Sequence, residues 1–212
     1  MATDFGGMDM PVLACKKLGL KYVHVFSSDI AAHCRALMTH MSKPELLYED
    51  VRARDVSLMP PCHVYIWGAP CQPFSSCGLG QGRSDARGRG NLAVASLRYI
   101  KQHKPRLTIM ENVRGLPERH PATFAAIVSS LTRYGYHVHH QVLNTRDHGV
   151  PQQRARIWLV AIRSDSIKRP FGFPSSVPLK YSAEECLLPF TPSMDKQKRL
   201  PPKHGTTNRS RE

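Results

Sequence analysis

The sequence predicts an α/β fold of the Rossmann-like kind, in which a mostly parallel sheet carries helices on both faces. Three observations support this expectation. Short β-rich runs alternate with helical patterns through residues 1–163, the helical stretches are about ten residues long, and glycine or proline marks their ends. The 212 residues suffice for one sizeable core and are too few for two typical enzyme domains.

The predicted strands are short. One precedes the glycine turn at Phe5-Gly6-Gly7, and the others are expected at residues 22–26, 63–67, 106–110, 136–143 and 157–162. Ligands of such sheets bind at the carboxyl ends of the strands. Segments 5–9, 68–75 and 111–113 each follow a predicted strand, so we expect them to meet at one site.

The predicted helices follow from apolar spacing and end signals. Residues 12–18 form a short helix closed by Gly19, and Asp29 opens a second helix with an apolar face. A third helix is expected at residues 92–100. The best-marked helix begins near Pro121 and ends at Gly135, with a stripe made by Phe124, Ile127, Val128 and Leu131.

The character of the chain changes after Arg163. Residues 164–212 hold seven of the seventeen prolines, show little periodicity and end in a basic stretch. We therefore expect a catalytic unit at residues 1–163, followed by a linker or irregular basic tail at 164–212.

Charge is the most informative bulk property. Thirty Lys and Arg against sixteen Asp and Glu give a formal net charge of +14. This balance favours a polyanionic partner, with nucleic acid first and an acidic membrane surface second, although a basic tail on a soluble protein gives the same total. No apolar run approaches the roughly 20 residues of a membrane helix, and a signal-peptide pattern is absent, so we expect an intracellular protein.

Cys71 is the first candidate for chemistry. Six cysteines are scattered without CxxC spacing, which predicts neither structural zinc nor a secreted disulfide framework, and we expect no metal site. Cys71 differs from the rest because it follows a strand end, lies between Pro70 and Pro73, and precedes a glycine-rich loop. A thiol in that position can be a nucleophile, or simply a structural residue.

Three further segments carry weaker signals. Glu111 is expected directly after a strand, where a shielded carboxyl group can donate a proton, although such acids are commonly solvated. Arg154 and Arg156 alternate before a strand, so they face one side and hold an anion or a base edge, or form an ordinary solvated face. The turn at Phe5 to Gly7, with Asp29 after the next strand, is typical of nucleotide-like ligands.

In this order, these segments resemble the cytosine carbon-5 methyltransferase family over about residues 4–163. The most specific matches are Pro70-Cys71-Gln72 and Glu111-Asn112-Val113. Gln152-x-Arg154-x-Arg156, preceded by Gly149-Val150-Pro151, matches a third family motif. The resemblance implies the fold of methyltransferases that use S-adenosylmethionine, and DNA as the partner. It therefore also implies a nuclear location in a eukaryote, or a cytoplasmic one in a bacterium.

The resemblance also implies catalytic roles. Cys71 would add to carbon 6 of a cytosine, and Glu111 would bind and protonate the ring nitrogen at position 3. Arg156, with Arg154, would support the base and the Cys71 loop. The target base would have to leave the duplex stack.

A second group of residues matches the family's cofactor-binding positions. Phe5 and Gly7 correspond to the motif that holds the methionine end of S-adenosylmethionine, and Asp29 to the ribose-binding acid. The other implied contacts are Asp50 and Val51 at the adenine, Pro70 near the methyl group, and Leu92.

The chain also departs from the family pattern. Asp9 and Met10 stand where the first motif normally has glycines, so an acid there either repels the cofactor carboxylate or turns away. Residues 164–212 contain neither the target-recognition region nor the C-terminal motifs. Two alternatives therefore stay open: the same chemistry on tRNA, and a truncated module that binds cofactor or nucleic acid without turnover.

Overall fold

The computed structural model describes residues 1–70 and 92–186 of the chain. Its centre is a seven-stranded sheet with the order β3-β2-β1-β4-β5-β7-β6. The strands are β1 (Ala2–Asp4), β2 (Phe26–Ser28), β3 (Leu46–Tyr48), β4 (Val64–Trp67), β5 (Leu107–Val113), β6 (Tyr136–Asn144) and β7 (Ala155–Arg163).

The first five strands are parallel, and β7 pairs antiparallel with both β5 and β6. The predicted mostly parallel sheet with helices is therefore confirmed. The strand order reverses between β1 and β4, because the chain builds β2 and β3 on one side of β1 and then returns to its other side. Such a reversal opens a crevice at the carboxyl ends of the two central strands.

Within the described residues, five α-helices connect the strands: α1 (Met10–Lys17), α2 (Ala32–Met41), α3 (Leu92–His103), α4 (Gly115–Arg119) and α5 (Pro121–Arg133). Parallel crossovers are right-handed, which places α1 and α2 on one face and α3 and α5 on the other. Burial agrees with this division. The main core contains side chains of α3 and α5, whereas Val12 of α1 and Met38 of α2 are buried outside it.

The main core lies between one face of the sheet and helices α3 to α5. Tyr65 and Trp67 of β4 pack there with Tyr99 of α3, and Met110 of β5 and Leu159 of β7 extend the cluster. Fully burying one such side chain contributes about 1.5–3 kcal/mol, so this face dominates the stability of the fold.

Several predicted boundaries were wrong, and three of them have a clear physical reason. The strand expected at residues 22–26 occupies Phe26–Ser28, because β1 begins at Ala2 and pairs with those residues. The second helix begins at Ala32 rather than Asp29, whose carboxylate instead accepts a hydrogen bond from the amide of Ala31. The strand expected to end at residue 110 runs to Val113, because β7 continues to pair with it.

Two short elements were not predicted. Strand β3 has three residues at the sheet edge, and α4 has five. Neither length is enough to establish a hydrophobic period.

The segment after β7 is mostly irregular as far as residue 186. It contains 3-10 turns at Ser164–Ser166 and Glu184–Cys186, and Val177 forms a bridge with His148. The division of the chain at residue 163 stays a prediction. Within residues 1–70 and 92–186, no helix is both long enough and apolar enough to cross a membrane.

Candidate active site at the carboxyl edge of the sheet

The sequence-predicted segments gather along one edge of the sheet. The turn after β1, Asp29 after β2, Asp50 after β3 and Gly68 after β4 all follow carboxyl ends of parallel strands. Because β7 is antiparallel to β5, its beginning lies at this same edge, where Arg156 pairs in register with Val113. The edge thus brings together residues that are far apart in the sequence.

The turn after β1 is tightly constrained. Phe5 and Gly7 both have positive φ, at 57° and 56°. The amide of Gly6 donates to the carbonyl of Ser28 at 3.0 Å, and the amide of Gly7 donates to Oδ2 of Asp29 at 3.0 Å. These bonds fasten the turn to the end of β2. A positive φ is costly for a residue with a side chain, so the neighbours of Phe5 must hold it in place.

Asp9 turns away from the cleft, which resolves the question raised by its place in the glycine motif. Its carboxylate is fully buried and accepts hydrogen bonds from the hydroxyls of Thr3 at 2.6 Å, Ser27 at 2.7 Å and Ser42 at 2.7 Å. Nε2 of His24 lies 3.8 Å from the same carboxylate. The charge is therefore satisfied inside the protein and does not face a ligand.

A second buried carboxylate, that of Asp4, lies on the opposite face of the sheet. It is 1% exposed, forms an ion pair with Arg54, and accepts hydrogen bonds from Tyr65 and from Ser28 at 2.8 Å. Burial alone would lower the pKa of Arg54, but the hydrogen bonds to Asp4 raise it above its ordinary value. Burial, followed by the nearby charge of Asp4, raises the pKa of Tyr65.

The acids after β2 and β3 differ in how they are held. Both oxygens of Asp29 accept backbone amides, from Gly7 and from Ala31. Each carboxylate oxygen still has a lone pair to offer to a hydroxyl group. Asp50 is instead bound by the side chain of Arg52, with Nη2 at 2.7 Å from Oδ2, and this hydrogen bond lowers the pKa of Asp50. Val51 beside it is buried.

The end of β4 is fastened to β5. The amide of Gly68 donates to the carbonyl of Asp4 at 3.3 Å. The carbonyl of Ala69 accepts a hydrogen bond from Nδ2 of Asn112 at 3.3 Å, and Asn112 is 2% exposed. Pro70 is the last described residue of this segment. Cys71 lies outside the described residues, and Leu92 is half-buried at the first position of α3.

Glu111 is the centre of the polar cluster at β5 and β7. Its Oε1 lies 3.0 Å from Nε of Arg156 and 3.5 Å from Nη2 of Arg154. The two arginines therefore face one side, as their alternation predicts. The Glu111 side chain is 29% exposed, so this ion-pair cluster remains open to solvent.

Glu111 also lies close to the end of β4. A methyl group built on Gly68 would lie 3.7 Å from Oε2 of Glu111 and 3.6 Å from its carbonyl oxygen. The segment that leads to Cys71 and the side chain of Glu111 are therefore neighbours.

Sequence reasoning missed several residues of this edge. Asp4 and Arg54 are separated by 50 positions and match no motif, and Asn112 stands out in the sequence only as the middle residue of Glu111-Asn112-Val113. For Asn112, the alternation of residues in β5 was a signal that its side chain is buried. Thr108, Met110 and Asn112 point to the core, whereas Glu111 points to the other side of the sheet.

Most of the chain is similar to known DNA methyltransferases. The family model described as C-5 cytosine-specific DNA methylase matches residues 4–208. The type II methyltransferase M.NgoBI of Neisseria gonorrhoeae is 34% identical over 82% of this chain and 52% of its own length. M.HhaI of Haemophilus parahaemolyticus is 30% identical over 87% of this chain and 55% of its own. The chain thus spans about half the length of these curated relatives.

Solved structures show the same fold at lower identity. The Entamoeba histolytica methyltransferase EhMeth superposes with a TM-score of 0.65 at 17% identity, covering 86% of this chain and 57% of that protein. Spodoptera frugiperda DNMT2, solved as a triple mutant, gives a TM-score of 0.63 at 20% identity, covering 85% of this chain and 54% of its own.

Proposed function

Because the chain belongs to the C-5 cytosine-specific DNA methylase family, we propose that it is the catalytic portion of a DNA (cytosine-5-)-methyltransferase. The methyl group would pass from S-adenosylmethionine to carbon 5 of a cytosine. Residues 1–163 would form the catalytic domain, and residues 164–212 a linker or basic tail.

The observation that carries this proposal is the position of Glu111. Its carboxylate contacts Arg156 at 3.0 Å and is a neighbour of Gly68, three residues before Cys71. A cytosine needs a nucleophile at carbon 6 and a proton donor at nitrogen 3, on different atoms of one ring. An acid beside the segment that leads to a cysteine is the arrangement that this chemistry requires.

Each residue would have a distinct task. The thiolate of Cys71 would add to carbon 6 while Glu111 held a proton at nitrogen 3, so that electron density reached carbon 5. Arg156, and more weakly Arg154, would orient the Glu111 carboxyl group and support the base. Removal of the carbon-5 proton by a base and expulsion of the Cys71 thiolate would restore the aromatic ring.

The turn after β1 fits the methionine end and the ribose of S-adenosylmethionine. The acid that could have repelled a ligand carboxylate, Asp9, is paired inside the protein, and the space in front of the Gly7 α-carbon is open. Phe5 and Gly7 would line the methionine end, and Asp29 would accept ribose hydroxyls through its remaining lone pairs. The bound cofactor supplies an electrophilic methyl group.

The remaining proposed cofactor contacts lie along the same edge of the sheet, on both sides of β1. Asp50 and Val51, after β3, would contact the adenine. Pro70, at the end of β4, would lie near the methyl group, with Leu92 at the start of α3 as an apolar contact.

DNA is the partner that the charge favours. The net charge of +14 would attract a phosphate backbone and make the affinity dependent on salt. A stacked cytosine cannot reach a cleft at a sheet edge, so the base would be flipped out at a cost of a few kcal/mol.

Trapping with 5-fluorocytosine tests this function. The protein is mixed with S-adenosylmethionine and a duplex that carries the fluorinated base, then denatured and analysed for a covalent adduct. Fluorine cannot leave as the proton does, so a competent enzyme stays attached through Cys71. Cys71→Ser should form no adduct, whereas Cys186→Ser, which removes an exposed thiol, should form as much as the unchanged protein.

Three outcomes separate the alternatives. An adduct with DNA that depends on Cys71 supports the proposal, and an adduct only with fluorinated tRNA moves the same chemistry to that substrate. If the protein binds S-adenosylmethionine without forming an adduct on either, the non-catalytic module is the correct description.

A further inference from the structure

A cavity of about 410 Å³ lies beside the candidate active site. It is bounded by α4, by the end of β5 and by the beginning of β7. Arg114, Arg119 and Arg156 line it, together with Gln153 and a single acid, Glu118. We call these three arginines and the space between them the arginine pocket.

Arg156 connects the arginine pocket to Glu111. Its Nε contacts the Glu111 carboxylate at 3.0 Å, while its side chain also lines the cavity. The pocket therefore begins one side chain away from the acid that would hold the target base. Any group bound there is adjacent to the reacting nucleotide.

Arg114 and Arg119 are available to bind an anionic ligand. Both residues are exposed, and Nε of Arg114 is 3.7 Å from Oε2 of Glu118. Both members of that ion pair are more than half exposed, and such pairs contribute about 0–1 kcal/mol. A phosphate group offers more acceptor oxygens and a better geometric match to a guanidinium, so it can displace the carboxylate.

From this arrangement we propose that the arginine pocket binds the phosphodiester backbone next to the target cytosine, with Arg114 and Arg119 contacting phosphate oxygens. This inference rests on the function proposed above, because it places a nucleic-acid strand at the same edge. A flipped nucleotide remains joined to its flanking phosphates, so a site for them must lie beside the base. The pocket lies beside it, with three cations against one acid.

The test measures binding of a fluorescent duplex by anisotropy over a series of salt concentrations. In the double variant Arg114→Gln/Arg119→Gln, the slope of log affinity against log salt should fall by about two, because each lost phosphate contact removes roughly 0.9. The affinity should fall equally for cognate and unrelated duplexes.

The control removes two exposed cations elsewhere. Lys101 and Arg133 lie near the carboxyl ends of α3 and α5, both outside the cavity lining. Lys101→Gln/Arg133→Gln has the same net charge as the test variant and should keep the slope of the unchanged protein. Equal losses in both variants would mean that only the total charge matters, and would overturn the proposal.

The outcomes also separate this inference from the proposed function. An unchanged slope in the Arg114/Arg119 variant, with the adduct still formed, overturns the phosphate site and leaves the methyltransferase intact. A lowered slope in the variant, when even the unchanged protein forms no adduct, keeps the phosphate site and removes the proposed chemistry. If the unchanged protein binds no duplex, the phosphate site is wrong.

Discussion

Two groups of carboxylates along the carboxyl edge are held in opposite ways, one buried and bound by the protein, the other partly exposed to solvent. In the half proposed to bind the cofactor, formed by β1, β2 and the turns after them (the cofactor half), Asp4 and Asp9 are at most 1% exposed and are bound by side chains of the protein. In the half proposed to bind the target base, formed by β5 and β7 (the base half), Glu111 is 29% exposed and is bound by arginines that are themselves open to solvent.

This difference predicts which acids stabilise the fold and which can exchange their partners for a ligand. A buried carboxylate whose oxygens all accept hydrogen bonds from the protein has none left for a ligand. Its removal leaves those protein donors without a partner in a medium of low dielectric constant. A half-exposed carboxylate can exchange its partners for a substrate at little cost. The comparison predicts that substitutions of the buried acids lower stability, whereas substitutions of the partly exposed acids lower ligand binding or the reaction rate.

Asp4→Asn should have the largest effect, a loss of about 3–5 kcal/mol in the free energy of unfolding. It leaves Arg54, whose side chain is 3% exposed, charged and without its ion-pair partner. Urea denaturation measures the loss, with Glu118→Gln as an exposed control expected to change stability by less than ~0.5 kcal/mol. Equal values for the two variants would show that the Asp4–Arg54 pair does not stabilise the fold.

Glu111→Gln should reverse this pattern. We expect the rate of adduct formation to fall at least ~100-fold, the lower range for loss of a general acid, with unfolding changed by less than ~1 kcal/mol. Single-turnover trapping at saturating duplex measures the rate. If Glu111→Gln lowers the free energy of unfolding but forms the adduct at the normal rate, Glu111 stabilises the fold and does not take part in the reaction.

Asp9→Ala should destabilise the protein by about 2 kcal/mol, because three hydroxyl groups lose their common acceptor. Its affinity for S-adenosylmethionine, measured by calorimetry below the unfolding transition, should change by less than about threefold. Asp29→Ala is the matched substitution in the same half. It should lower the binding free energy of S-adenosylmethionine by more than it lowers the free energy of unfolding. A large loss of affinity in Asp9→Ala would mean that the carboxylate serves the ligand after all.

The smallest effect distinguishes the two arginines of the base half. Arg156→Lys should slow adduct formation about tenfold, and Arg154→Lys less than threefold. Arg156 is closer to Glu111, at 3.0 Å against 3.5 Å, and its side chain is 21% exposed against 46%. A lysine loses the planar contact in both cases, but only the less exposed position depends on it. Equal rates would mean that the arginines act together as a single positive field.

The sequence predicted those parts of the molecule that local pattern controls. The alternation of strands and helices, with glycine or proline at their ends, was enough to predict the sheet. The resemblance to the methyltransferase family was needed to place Glu111, Arg154 and Arg156 in one site. The ion pair between Asp4 and Arg54 was beyond reach, because it depends on how three strands and a loop pack, and neither residue belongs to a pattern. The inward orientation of Asp9 depended on hydroxyls at positions 3, 27 and 42, which only the folded chain brings together.

Gly6 and the side chain of Asp9 compete for the same space. A methyl group on Gly6 would lie 2.6 Å from Oδ1 of Asp9, and 2.8 Å from the flexible end of Met38, so the carboxylate occupies the volume that an alanine would need. Replacing Asp9 with glycine would remove the shortest of these contacts. Reversing the pair as Gly6→Ala/Asp9→Gly should cost less stability than the sum of the single changes, the signature of two sites that vary as one.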